Sequence, residues 1–136
     1  MTKRVFLSLA AVLLCTFAAM AQDADAQKRE KEFFESLDKQ ITQMTDQLDL
    51  EDWQVFYVDS ILTHDYQAMQ QELMELQQKK VANADIYNEA AYKWQDKIDD
   101  ALQKVFNDEQ WSKYQKNGAA RAKKARDKRR AKMHQE

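Results

Sequence analysis

The side chains on which a reaction would rest are His64 and His134, together with Ser36, Ser60 and Ser112. His64 neighbours Asp65, but adjacent residues on a helix point to different faces, so His64 reads as solvated. Asp59 and Asp65 are not spaced to join His64 in a one-face cluster, and His134 sits in a basic tail. The serines are not set in a nucleophile motif, and the chain holds no HExxH, no glycine-rich phosphate loop and no CxxC. The reading is therefore no catalytic residue, no metal, no cofactor, and a protein that is not an enzyme.

What remains is chemistry of recognition. The whole chain has a net charge of −2. Residues 22–118 hold 11 basic and 21 acidic side chains, net −10, whereas residues 119–136 hold 8 basic and 2 acidic, net +6. An acidic body thus carries a basic tail. Arg121, Lys124, Lys128, Arg129 and Lys132 are its candidate partner-binding residues. The tail reads either as a solvated helix or as a binding surface that attracts an acidic chain, and it is also able to fold back on the body or bridge to another subunit. It lacks an apolar face, so at most it makes peripheral contact with an anionic membrane surface. No nucleic acid is expected for an exported chain.

The apolar groups have two readings as well. Met44, Met69, Met74, Trp53, Phe56, Tyr57, Trp94, Trp111 and Tyr114 fit a core. Yet Trp53, Val55, Phe56, Tyr57, Val58, Ile61 and Leu62 occupy more than one face of a helix. A surplus of this kind forms a dimer interface or an exposed binding patch.

Two matched stretches position these groups. Leu48-Asp49-Leu50-Glu51-Asp52-Trp53-Gln54-Val55-Phe56 and Phe106-Asn107-Asp108-Glu109-Gln110-Trp111-Ser112-Lys113-Tyr114 align 58 residues apart. Asn107 suits a helix N-cap, Gln110 three residues on closes a capping box, and Phe106 with Trp111 makes a hydrophobic staple. Asp49, with Leu48 and Trp53, predicts the same arrangement in the first copy, with Asp52 a weaker box partner because a carboxylate only accepts. Acidic residues at 51, 52, 108 and 109 suit the positive end of a helix dipole. In each copy the tryptophan and the aromatic three residues later, Phe56 or Tyr114, share a face.

The elements follow in order. Residues 1–21 read as a secretory signal peptide: Lys3 and Arg4, an apolar Val5 to Phe17, and Ala19-Met20-Ala21 as the cleavage site. Cys15, the only cysteine, lies within it, preceded by Leu14 rather than by the small residue of a lipobox. The mature chain, 22–136, is then a cysteine-free single helical domain with one glycine and no proline. Phe33, Phe34, Leu37, Ile41, Met44 and Leu48 predict a first helix over 25–46. Val58, Leu62, Tyr66, Met69, Leu73 and Leu76 predict a second from 50 to 80. Between 79 and 85 the pattern breaks, with Asn83 or Asp85 as the next cap, or the helix runs on kinked. Tyr87 to Val105 predicts a third helix, and the second motif opens a fourth. Asn117-Gly118 either ends that helix or bends it before it resumes. The fold class is all-α: an elongated four-helix protein, a duplicated helical hairpin, with a basic C-terminal helical tail.

At the two motifs the chain resembles the Spy and CpxP type of small periplasmic proteins, which carry two LTxxQ motifs at helix starts. Phe106 to Gln110 matches that pattern with changes at its first two positions. Leu48 to Asp52 keeps the leucine and ends in Asp, while a shifted frame, Leu50 to Gln54, recovers both leucine and glutamine. The resemblance implies a bent four-helix arrangement, a homodimer, and ATP-independent binding of unfolded polypeptides in the periplasm. The acidic body departs from that family's positive cradle. Together the readings predict an exported chaperone-like protein with polypeptide clients, or, alternatively, a structural or regulatory adaptor with one envelope partner.

Overall fold

A computed structural model describes the backbone of residues 2–135 and the side chains of residues 23–135. Five α-helices follow in order: α1 (Thr2–Leu48), α2 (Asp52–Gln78), α3 (Ala84–Val105), α4 (Asp108–Tyr114) and α5 (Ala120–Met133), with a π-helical turn at Gln115–Ala119 between the last two. The predicted all-α class is the observed one, α4 and α5 together forming the fourth helix, and there is no strand among the described residues. The predicted signal segment, with Cys15, lies outside the residues whose side chains are described. Among the described residues no helix is long and apolar enough to cross a membrane.

The chain divides into two compact units, residues 1–39 and residues 40–136. In the first, the described part of α1 is largely exposed, buried Leu37 apart, and is laced by i,i+4 pairs, Lys28 with Glu32 at 3.9 Å and Lys31 with Glu35 at 3.7 Å. Such exposed pairs each contribute only a few tenths of a kcal/mol.

The second unit holds the core. Val58, Leu62 and Leu102 are fully buried, and Met44, Leu48, Ala90, Ile98 and Phe106 nearly so. The four-residue spacing of Val58 and Leu62 on α2, and of Ile98 and Leu102 on α3, puts each pair on one face of its helix, and α2 packs along α3. The register is antiparallel: Gln54 reaches the carbonyl of Val105, Lys97 lies 3.9 Å from Asp65, and Lys93 bonds Glu72 at 2.7 Å. Indole and ammonium groups reinforce it. Trp94 Nε1–H donates to Glu72, and Lys97 Nζ stands 4.4 Å from the centre of the Trp94 ring. The hydrogen bonds from Lys93 and then Trp94 hold the Glu72 carboxyl below its ordinary range.

Both ambiguous breaks are resolved. Lys80 takes the left-handed conformation, φ 54°, and Val81 N–H returns to Leu76 O, a Schellman end that stops α2. Asn83 caps α3, its side chain accepting from Asp85 N–H at 2.9 Å. Gly118, at φ 136°, bends the chain sharply between α4 and α5. Nothing lies within 4 Å of where its Cβ would be, so glycine is required there by backbone conformation rather than by space.

Candidate functional site

The second motif is built as its spacing predicts. Asn107 caps α4 by accepting from Gln110 N–H at 2.8 Å, and Gln110 Oε1 accepts from Asn107 N–H at 3.0 Å. Phe106 is buried and meets Tyr114 edge to face at 5.6 Å, and Tyr114 meets Trp111 at 5.5 Å. Trp111 and Tyr114 are half-buried.

The first motif is framed differently from the alignment above. Asp49 does not cap α2. It takes φ 56° just past the end of α1, where Leu50 N–H returns to Thr45 O, a Schellman end for α1. The N-cap is Glu51, and Gln54, not Asp52, closes the box by accepting from Glu51 N–H at 3.0 Å. The copies therefore correspond 56 residues apart, Leu50 to Gln54 with Phe106 to Gln110. The shifted frame was visible as leucine and glutamine at matching positions. What selects it is Gln110.

Gln54 and Gln110 face each other in the core and exchange both amide bonds, Gln54 Nε2 to Gln110 Oε1 at 2.7 Å and Gln110 Nε2 to Gln54 Oε1 at 2.9 Å. Each remaining amide N–H goes to the chain just before the other copy: Gln54 to Val105 O at 3.0 Å, Gln110 to Asp49 O at 3.4 Å. Each side chain thus makes four hydrogen bonds, which saturates a primary amide and makes its burial tolerable.

The same shift turns the first copy's aromatics outward. Trp53, Phe56 and Tyr57 are 52%, 69% and 51% exposed. They form an edge-to-face chain, with Trp53 6.2 Å and Phe56 5.6 Å from Tyr57. Trp53 Nε1–H donates to the Glu51 carboxylate at 2.6 Å, which fixes the indole over the cap. Trp53 and Phe56 are therefore surface groups, whereas Leu48, also singled out, is buried at the end of α1.

The basic tail is an ordered helix, α5, joined to α3 by side chains that charge patterning did not single out. Arg126 is buried and donates to Asp99 at 2.7 Å and to Asp96 at 2.9 Å. Arg130 donates to Asp96 at 2.6 Å and to Glu89 at 3.1 Å, and Tyr114 O–H donates to Asp99 at 2.8 Å. The signal for this zipper was the one-face spacing of Glu89, Asp96 and Asp99 opposite arginines four apart. Burial pushes the Asp96 carboxyl up, but the bonds from Arg130 and Arg126 outweigh it and hold the group below its ordinary range. Burial, then Asp99, pushes the Tyr114 hydroxyl above its ordinary range, so it stays a donor. Arg121, Lys124, Lys128, Arg129 and Lys132 are exposed, and none is in an ion pair among the described residues.

Catalytic geometry is poor. Against the expectation that they diverge, His64 Nδ1 lies 2.8 Å from Asp65 Oδ1, and Asp65 is buried. Ser60 stands four residues before His64, whose Nδ1 is engaged by Asp65. Among the described residues no group of three or more His, Cys, Asp and Glu is placed to hold a metal ion. A cleft of about 360 Å³ is lined by Gln40, Gln43, Gln47, Tyr66, Asp99 and Tyr114, among others. Its one carboxylate is already bonded to Tyr114 and Arg126.

No protein-family model, no curated protein and no solved structure matches this chain. The class that the fold and its motifs define is an all-α protein whose two helix-start motifs lock together through a glutamine pair.

Proposed function

We propose that the protein binds unfolded or aggregation-prone polypeptides without ATP, as an exported, periplasmic, non-catalytic chaperone that acts as a dimer. The observation that carries the reading is the outward aromatic chain Trp53, Phe56 and Tyr57 at the capped start of α2. Three neighbouring large rings held at more than half exposure cost solubility and leave a contiguous apolar patch uncovered, which is the mark of an interaction surface. Rings bring contact area at low side-chain entropy, and their faces accept apolar and cationic groups of many sequences. The Spy-like motif pattern supports the same reading. The rival, an adaptor for one envelope partner, would use the same rings and differs in selectivity.

The test is light scattering from several chemically unrelated denatured proteins, without ATP. The wild-type chain should suppress aggregation of most of them near one-to-one. A Trp53→Ala, Phe56→Ala, Tyr57→Ala triple variant should keep its helicity and lose most of the suppression. Equal suppression by that variant would remove the assigned surface. Failure of the wild type on every client would favour the adaptor.

A further inference from the structure

The cations of α5 divide into two opposed sets. Arg126 and Arg130 point at α3 and are spent on Asp96, Asp99 and Glu89. Lys123 is paired with Asp127, the only acidic residue of the helix, at 3.0 Å. The remaining Arg121, Lys124, Lys128 and Lys132 recur at three, four and four residues. At 3.6 residues per turn they fall within an arc of about 80° facing away from the two docked arginines, in a row about 16 Å long. Arg129 flanks the row, with Nη1 3.3 Å from the Tyr92 hydroxyl. The face holds no carboxylate, and its only apolar groups are alanines such as Ala125.

We propose that this face of α5 seats the protein peripherally on a bilayer surface rich in anionic lipid. The choice of occupant follows from the geometry of the row. A discrete acidic peptide would meet these exposed side chains as single ion pairs, each changing affinity by at most about fivefold, with no apolar group beside them to hold the backbone. A lipid surface presents anions at high density in a plane, so every cation of a straight row engages at once. Each Lys or Arg near such a surface strengthens binding by about fivefold, and four together by several hundredfold.

The fold prepares the row. Gly118 sets the direction of α5, and the Arg126 and Arg130 bonds fix its rotation, so the row is presented without ordering a flexible tail. The rest of the second unit, net −8 over residues 40–118, is repelled by the same surface, which leaves α5 as the side of that unit that approaches it. With no apolar face the helix does not insert, so binding is reversed by salt. The inference is independent of polypeptide binding through Trp53, Phe56 and Tyr57.

The test is co-sedimentation of the full chain with large vesicles, either pure phosphatidylcholine or a two-to-one mixture with phosphatidylglycerol. The wild type should bind the mixed vesicles at least about a hundredfold more tightly than the neutral ones. That preference should vanish when salt cuts the Debye length from about 8 to 3 Å. Lys124→Glu, Lys128→Glu, Lys132→Glu should abolish it, and the milder R121Q, K124Q, K128Q, K132Q set should weaken it at least about a hundredfold. Both should retain wild-type helicity. Equal binding to neutral vesicles, or wild-type binding by both variants, overturns the proposal. So does displacement from mixed vesicles by an equal charge concentration of polyglutamate, because the face would then be a site for acidic chains.

Discussion

The two motif copies share one device and diverge in everything around it. In both, a glutamine at the third helical position accepts from the N-cap N–H and bonds its counterpart across the core. The second copy uses Asn107 as cap and folds Phe106, Trp111 and Tyr114 inward or half inward. The first uses Glu51, whose carboxylate takes the Trp53 indole, and leaves Trp53, Phe56 and Tyr57 in solvent. One copy builds and the other displays. A rigid helix start thus serves two ends, because the glutamine junction carries the structural load and frees the first copy's aromatics from packing.

That contrast breaks most visibly at the phenylalanines. Phe106→Ala should destabilise the protein by about 3–5 kcal/mol, as deletion of a buried ring does. Phe56→Ala should stay within about 0.5 kcal/mol, as at other surface positions. Urea unfolding of the two variants measures both, and similar costs would end the division into building and displaying copies.

The shared device is probed next. Gln54→Ala or Gln110→Ala leaves the partner amide and a carbonyl unpaired in the core, at a cost of about 1–3 kcal/mol each. Because the two bonds between the side chains are already lost in either single variant, the double variant should cost less than the sum, with a coupling of about 0.5–3 kcal/mol. Strict additivity would mean that each glutamine acts only on its own cap.

A smaller effect separates the second copy's extension from the rest. Asp96 has a folded pKa below its unfolded value of about 3.9. Its contribution is therefore fully present above that value and is lost as pH falls through the lower folded value. Docking of α5 on α3 should weaken on acidification below about pH 4, while the first copy's glutamine contacts, which do not titrate, persist. Residue-resolved NMR in acid would show α5 signals shifting before those of Gln54. Simultaneous loss would mean that α5 is not a separable layer.

The smallest effect tests the Schellman end of α2. Lys80→Gly relieves a left-handed residue that carries a Cβ and should stabilise by about 1 kcal/mol. A loss of stability in thermal melts would show that the Lys80 side chain contributes more than its backbone strain costs.

Much of this architecture was legible in the residues. Helical periodicity, the near absence of glycine and proline, the Asn107 to Gln110 box and the break at Gly118 are signals carried within one or two turns of chain. Capping and left-handed ends are satisfied locally, so local sequence determines them. The charge partition into an acidic body and a basic tail needs only composition. Tertiary structure decided three things. Gln54 rather than Asp52 is the functional match to Gln110, because only an amide both accepts from its own cap and donates across the core to residues some 56 positions away. Trp53 and Phe56 face solvent because that frame rotates Gln54 and Val58 into the core instead. And α5 is docked because Asp96 and Asp99 come within reach of Arg126, a pairing at separations of 30 and 27 residues; the local spacing supplies the acids and the arginines but does not bring them together.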